Sequence, residues 1–417
     1  MTNARATCTN DQCGFTCNAG FSWCGGQCVI DSITSCGPSC AACPGAPADA
    51  TPLCRSGQCT SKCDDGFVKC GGGCCRATAV SAGESGTCIL IGDGGAKCWG
   101  RNYYGQVGDG TYMDRNIPVD VQGLDGGVLV PSVAGDHKCA VTSGGGVKCW
   151  GSNGDGQLGI GTSGGRYPLP IDVVGLTEPV VQVSAGSVST CALTTDGGVK
   201  CWGYGGTGQL GDGTWMSRSR PTDVVDVAGA KSIATGSTHV CSVMQGGGVK
   251  CWGTNNVGQL GDGTSTIRLT PVDVVGLSGV STLAASSTHT CARMVDGRVK
   301  CWGKNDYGQL GDGTTTNRLA PVDVLGLTDV TQVSAAPYQT CALTSDGGVL
   351  CWGGYSFSTP TSVSGLSSGV TAIATGHWHT CALTVEGAVK CWGDNYYGVL
   401  GTGDNISRST PTFISGE

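Results

Sequence analysis

The stretch Cys191-Ala192-Leu193-Thr194-Thr195-Asp196-Gly197-Gly198-Val199-Lys200-Cys201-Trp202-Gly203 decides the fold of this chain. Two short apolar runs flank an Asp-Gly-Gly turn, the local signature of a β-hairpin. With the turn centred on Asp196, Cys191 falls opposite Cys201. Side chains alternate along a strand, so Leu193 and Val199 share the face of the cysteines and Trp202 points to the other. A hairpin that is apolar on both faces has to be covered on both, and copies of itself packed side by side do this.

The chain supplies those copies. The motif recurs seven times, its cysteines always ten positions apart: Cys88 and Cys98, Cys139 and Cys149, Cys191 and Cys201, Cys241 and Cys251, Cys291 and Cys301, Cys341 and Cys351, Cys381 and Cys391. A strand-like run precedes each hairpin, as at residues 181–186. A glycine-pinned loop follows, as in the Asn-x-x-Gly-Gln-Leu-Gly-Asp-Gly-Thr of residues 305–314, and its Leu310 is expected to plug the core. A last run begins with proline, as at residues 321–324; proline cannot donate to a ladder, which suits an edge strand or a strand's first residue. Four short strands per roughly fifty residues is the arithmetic of a β-propeller. The repeat enters at residues 79–82 with no strand of the Pro-Val-Asp-Val kind before it and ends on residues 411–414. The expectation is therefore a clasp in which this final strand pairs with blade one, the alternative being that it finishes blade seven.

Composition narrows the class. The 74 glycines fall at fixed places in the repeat and read as turn punctuation. Lys+Arg 24 against Asp+Glu 31 leaves a net charge of −7 with no basic cluster, which argues against binding a nucleic-acid backbone. No apolar run is long enough to span a bilayer. The 28 cysteines at regular spacing imply a disulfide framework made in an oxidising compartment, so a secreted or cell-envelope protein is expected. The chain begins MTNARATCTN, without the apolar core of a signal peptide. The corresponding expectation is that residue 1 is a mature or engineered end and that the export signal lies outside this numbering.

Residues 1–76 form a separate cysteine-rich region with fourteen cysteines. It carries a duplication: Cys8, Cys13, Cys17, Cys24 and Cys28 have the spacings of Cys54, Cys59, Cys63, Cys70 and Cys74, and Gly20-Phe21 and Gly66-Phe67 precede the fourth cysteine of each copy. Cys36, Cys40, Cys43 and Cys75 complete an even set. So small and polar a segment needs disulfides to hold it. Cys40 and Cys43 form its one Cys-x2-Cys; a zinc site is the alternative there, and structural disulfides are expected. The stretch CGGQCVIDSITSCGPSCAACP resembles cysteine-rich modules of the stigma-specific type.

From residue 78 onward, motifs such as HTCARMVDGRVKCWGKNDYGQLGDGT closely resemble the regulator of chromosome condensation repeat. That resemblance implies an all-β fold, a seven-bladed β-propeller over residues 77–417 behind the cysteine-rich region 1–76. The paired cysteines are similar to those of secreted bacterial relatives. In blade six the sequence runs from Cys351-Trp352-Gly353 straight to Thr359-Pro360 and lacks the Gly-Gln-Leu-Gly loop.

Recurring residues are explained by the repeat, so exceptions to it mark candidate sites. The five histidines, His137, His239, His289, His377 and His379, sit just before the first hairpin strand. Equivalent places on neighbouring blades lie about 10 Å apart, too far to share an ion held at about 2 Å, and they are expected to be structural, with no metal and no cofactor. Asp109, Asp212, Asp262 and Asp312 each have an arginine six positions on, an expected ion pair bracing the loop, with too few carboxylates for calcium. The exceptions are Asp136-His137-Lys138 in blade two, Pro337-Tyr338-Gln339 in blade six, His377-Trp378-His379 in blade seven, Tyr112-Met113 in blade one and Trp215-Met216 in blade three. Arg293 stands where several copies have Leu. Exposed loop aromatics are favoured anchors, so Asp136, His137, Lys138, Tyr338, His377, Trp378, Trp215 and Tyr112 are the candidate binding residues.

No serine or aspartate stands out from its repeat as a nucleophile or base, and a non-enzymatic, secreted or surface-bound propeller recognising a protein or cell-surface partner is the expected function. The resemblance also raises an inhibitor similar to the propeller-type β-lactamase inhibitor proteins, and nucleotide exchange on a small GTPase. Exchange uses an inserted wedge, for which the even spacing of the repeats leaves no room. The family's plant ultraviolet receptor reads light through Gly-Trp-Arg-His-Thr motifs, approached here once, at residues 376–380.

Overall fold

The computed structural model describes residues 49–416 apart from 56, 57, 71, 72, 93, 125, 130, 355 and 356, together with the strand backbones of 4–9, 12–17, 21–24 and 27–30. The chain divides into two compact units, one of Ala77–Ile414 and one of Met1–Arg76 with Ser415–Glu417.

In the larger unit the hairpins stand in seven four-stranded antiparallel sheets, a seven-bladed β-propeller. Blade three shows the plan: Val180–Ala185 innermost, then Ser189–Thr194, Val199–Gly203 and Arg218–Asp223 at the rim. Cys191 pairs with Cys201 and Leu193 with Val199, the register that an Asp196-centred turn requires. Each blade carries its own disulfide across the two central strands.

Blades are joined by packing tryptophan on disulfide. Trp252 of blade four shares one buried cluster with Cys191, Cys201 and Leu210 of blade three. Trp302 lies in the same way with Cys241 and Cys251, and Trp352 with Cys291 and Cys301. The loop between the third and fourth strands then reaches over the next blade as a lid. In blade five, Asn305 Nδ2 donates to Asp312 Oδ1 and to the Thr314 carbonyl, while its Oδ1 accepts from Leu310 N. Asp312 is held in turn by Arg318 at 2.7 Å. The closed loop drives Leu310 into the core and sets the Gln309 carbonyl 2.9 Å from Trp352 Nε1 of blade six. Gly311 has φ 73°, and a Cβ there would stand 2.7 Å from that Nε1, so only glycine brings the lid down this far.

The expected clasp is not formed. Arg408–Phe413 pairs with the third strand of its own blade, Cys391 opposite Thr412 and Lys390 opposite Phe413, and completes blade seven. Ala77–Ala82 already serves as the innermost strand of blade one, so that blade lacks no strand. The ring closes by the lateral packing of the other lidded interfaces: Trp99 Nε1 donates to the Val399 carbonyl at 2.7 Å, and Ala77 N donates to the Gly387 carbonyl.

Among the described residues the smaller unit contains four two-stranded hairpins, and the duplication is visible in their register. Cys8 opposite Cys13 is matched by Cys54 opposite Cys59, and Cys24 opposite Gln27 by Cys70 opposite Gly73. Cys63 is bonded to Cys74 and Cys70 to Cys75. Cys36, Cys40 and Cys43, with the choice between zinc and disulfides there, lie outside the described residues.

Candidate partner-binding face

Because strands alternate in direction, the loops joining strands one to two and strands three to four emerge at the same end of every blade. All of the candidate binding residues lie on these loops or at their ends. Four of the five histidines, however, are buried between blades. His137, His239, His289 and His379 each place Nε2 at 2.7–2.8 Å from a threonine hydroxyl of the next blade: Thr190, Thr290, Thr340 and Thr87. Each threonine donates to a lid carbonyl, as Thr340 does to Gln309 O at 2.8 Å. It must therefore accept from an Nε2–H, which fixes the Nε2–H tautomer of each neutral ring. Burial holds all four rings well below the usual histidine value, His137 and His289 to about 3, His239 and His379 to about 4; Lys138 adds to the effect at His137.

Lys138 is the exception that explains itself. Blade one has Gly86 where four other blades have histidine, and Lys138 stands where the next blade has threonine. Its Nζ fills the space, 3.2 Å from where a Gly86 Cβ would lie, and donates to the Gln106 carbonyl at 2.6 Å. Burial pushes its pKa down to about 7. His137 and Lys138 thus join blades and are not presented to a partner, which corrects the expectation for both; of that triplet only Asp136 reaches the face.

The face residues gather mainly on blades six, seven and one. Tyr338 stacks on Trp378 with ring centroids 4.6 Å apart, His377 lies 4.8 Å from Trp378, and Tyr307 meets Tyr338 edge-on at 5.0 Å. This cluster stands at the one interface without a lid. Trp392 has no lid carbonyl above it among the described residues, and its exposure is 8%, against 0–1% for the other six blade tryptophans. Trp378 itself is half exposed. Trp215 and Met216 are exposed on the blade-three lid, away from the cluster. Arg293 is not a face residue; its Nε donates to the Val330 carbonyl at 2.6 Å.

The same face holds residues that sequence reasoning passed over. Tyr103 and Tyr104 on the blade-one lid and Tyr396 and Tyr397 on the blade-seven lid make two edge-on pairs, each at 4.9 Å, and the two lids are neighbours across the seam of the ring. Arg101 lies between them, its guanidinium 5.4 Å above the Tyr397 ring and 3.3 Å from Asp136. Arg166 covers Tyr103 and Tyr112 at 4.9 and 5.2 Å. Between blades seven and one the face sinks into a cavity of about 320 Å³ reaching Trp378, Tyr396, Tyr397, Glu84 and Asp394. A second hollow, of about 470 Å³, runs outward to Tyr112 and Met113. Among the described residues there is no group of three His, Cys, Asp or Glu side chains placed to hold a metal ion, and no helix is long and apolar enough to cross a membrane.

The family described as RCC1-like domain matches residues 60–357, and the regulator of chromosome condensation repeat matches 370–399 and 386–417. The chain belongs to the RCC1-like family. Human HERC2, an E3 ubiquitin-protein ligase, is 34% identical over 158 residues, 37% of this chain and 3% of that protein. The RCC2 homolog of Xenopus laevis is 30% identical over 145 residues, 33% of this chain and 28% of that protein. The chain thus spans less than a third of either curated relative. Human WBSCR16 superposes with a TM-score of 0.70 at 24% identity, covering 76% of this chain and 94% of that one. Yeast RCC1 (Prp20), solved bound to Kap60, does so with 0.69 at 21%, covering 81% and 85%. These likenesses establish the RCC1-like fold.

The signal for the missed tyrosines was present in the repeat. Asn-Tyr-Tyr-Gly occurs only at Asn102 and Asn395, in the first and last blades, where the other copies have Asn-Gly-Asp-Gly, Gly-Gly-Thr-Gly, Asn-Asn-Val-Gly or Asn-Asp-Tyr-Gly. An RCC1-like ring makes those two blades neighbours.

Proposed function

We propose that this RCC1-like propeller is a non-enzymatic binding protein, secreted or held at the cell envelope, that recognises a protein partner through the face formed by blades six, seven and one. The stacked Tyr338–Trp378 pair at the lidless interface carries this reading: large, pre-ordered rings, Trp378 half exposed and Tyr338 partly buried, lose little freedom when a partner covers them. Yeast RCC1 was solved in complex with a protein, and a partner protein is the analogous expectation here. The disulfide in every blade supports an oxidising compartment.

The test is affinity for a partner isolated on the immobilised protein. Trp378→Ala and Tyr338→Ala should each weaken binding by about tenfold or more with melting unchanged. If neither does so while Phe67→Ala abolishes binding, recognition belongs to the cysteine-rich region and the proposal fails.

A further inference from the structure

We infer that the cavity between blades seven and one is a receptor for a cationic side chain, an arginine or lysine presented by the partner. This rests on the proposed binding face and specifies what that face reads.

The cavity contains two sets of the same parts. In one set, Arg101 of the chain itself lies over the Tyr397 ring at 5.4 Å with its Nη1 3.3 Å from Asp136 Oδ1, so a carboxylate and an aromatic face hold a guanidinium between them. In the other set, Trp378 and Tyr396 supply aromatic surface and Glu84 and Asp394 supply carboxylates, with no cation. Trp378 is 51% exposed and Tyr396 74%. Asp394 accepts from Ser407 Oγ and Tyr396 N, and Glu84 accepts from Ser187 and Ser237. Among the described residues neither carboxylate has an ion-pair partner. With Arg101 balancing Asp136, Asp394 leaves one uncompensated negative charge in the cavity, and Glu84, its carboxylate turned toward Ser187 of blade three and Ser237 of blade four, adds a second at the inner edge, on a chain whose net charge is −7.

Such a site favours a cation for two reasons. A ring quadrupole attracts a cation over its face by roughly 0.5–2 kcal/mol, more as water is excluded. Carboxylates already oriented by hydroxyl and amide donors add charge-assisted hydrogen bonds with little reorganisation. An acidic or phosphorylated segment would meet the same carboxylates with repulsion. At about 320 Å³ the cavity holds one long side chain and part of its backbone.

The experiment is fluorescence anisotropy with the full chain and fluorescein-labelled Gly-Ser dodecapeptides carrying two arginines, two lysines or two glutamates. The arginine and lysine peptides should bind and the glutamate peptide should not. Glu84→Gln and Asp394→Asn preserve shape and hydrogen-bond acceptors, and each should weaken the basic peptides by about tenfold, as should Trp378→Ala. Asn256→Ala, exposed on the blade-four lid away from the cavity, should leave binding unchanged. Melting temperatures of all variants should match the parent. Binding of basic peptides that ignores Glu84→Gln and Asp394→Asn, preference for the glutamate peptide, or no binding at all overturns the assignment. In that last case, a captured partner that still depends on Trp378 leaves the binding face standing, whereas a partner indifferent to Trp378 and Tyr338 removes both.

Discussion

The interface between blades five and six and the one between blades six and seven are built from the same parts except two. At the first, the blade-five lid lays Gln309 O on both Trp352 Nε1 and Thr340 Oγ1, and His289 closes the set from the side. At the second, the lid is missing, Gln339 replaces the histidine, and Trp392 and Cys351 are both 8% exposed. Tyr338 and Trp378 stand over this second interface. The difference teaches that the repeat spends its loops on covering the next blade; where that duty is dropped, the face is free to carry large rings. A side chain is explained by its interface first, and only what remains is offered to a partner.

Breaking the shared parts should have the largest effects. Each hairpin disulfide closes a short loop worth about 2 to 3 kcal/mol in the chain-entropy model, so reduction of all seven should lower stability by on the order of 10 kcal/mol or more. Thermal unfolding with and without reductant measures this, and a non-reducing peptide map should return the seven within-blade pairs.

Acid should attack the histidine-sealed interfaces next. Unfolded histidines titrate at about 6.5, whereas the four buried rings titrate at about 3 to 4. The unfolded chain therefore binds more protons between those values. The stabilisation is complete above about pH 6.5 and is lost as pH falls toward 4, by up to about 1.4 kcal/mol per unit for each ring. Denaturation midpoints at stepped pH test the sign and the window. His289→Gln, the residue natural to blade six, should flatten the slope.

Trp302→Ala and Trp392→Ala sharpen the comparison directly. Trp302 is wholly buried and donates to Gln259 O, so its loss should cost about 3–5 kcal/mol. Trp392 has no lid to lose, and its truncation should cost about 1 kcal/mol less. Equal losses in urea unfolding would mean that the lid contributes nothing. Smallest of all, Tyr338→Ala and Trp378→Ala should change stability by less than about 1 kcal/mol, since both rings sit on the surface.

Most of the propeller was legible because its determinants are local. The spacing of Cys191 and Cys201 about an Asp-Gly turn sets the register, period two puts Trp202 on the opposite face, and Leu310 plugs the core because the side chains of Asn305, Asp312 and Arg318 close the loop that points it there. The face was read only in part, because its logic joins residues about fifty positions apart. Nothing near Lys138 in sequence says that it fills the space left by Gly86; that is a property of two repeats taken together. Arg101 and the tyrosines of residues 103, 104, 396 and 397 come together only through ring closure. The closing strand was misassigned for a related reason: the first blade's missing neighbour was counted as a missing strand.

The lid has one more consequence, for the order in which the molecule can be finished. Every blade but the seventh is completed by the loop of the blade before it, so a growing chain can seal each interface as soon as the next hairpin appears, with one exception. Blade one is made first, yet Trp99 and Thr87 wait for Val399, three hundred residues later. Until then the nascent propeller keeps an open flank at its oldest end, with a bare indole and an unsatisfied hydroxyl. Vectorial folding therefore ends where it began, and a truncation before residue 395 should be felt in blade one, where the loosened Trp99 would be the reporter.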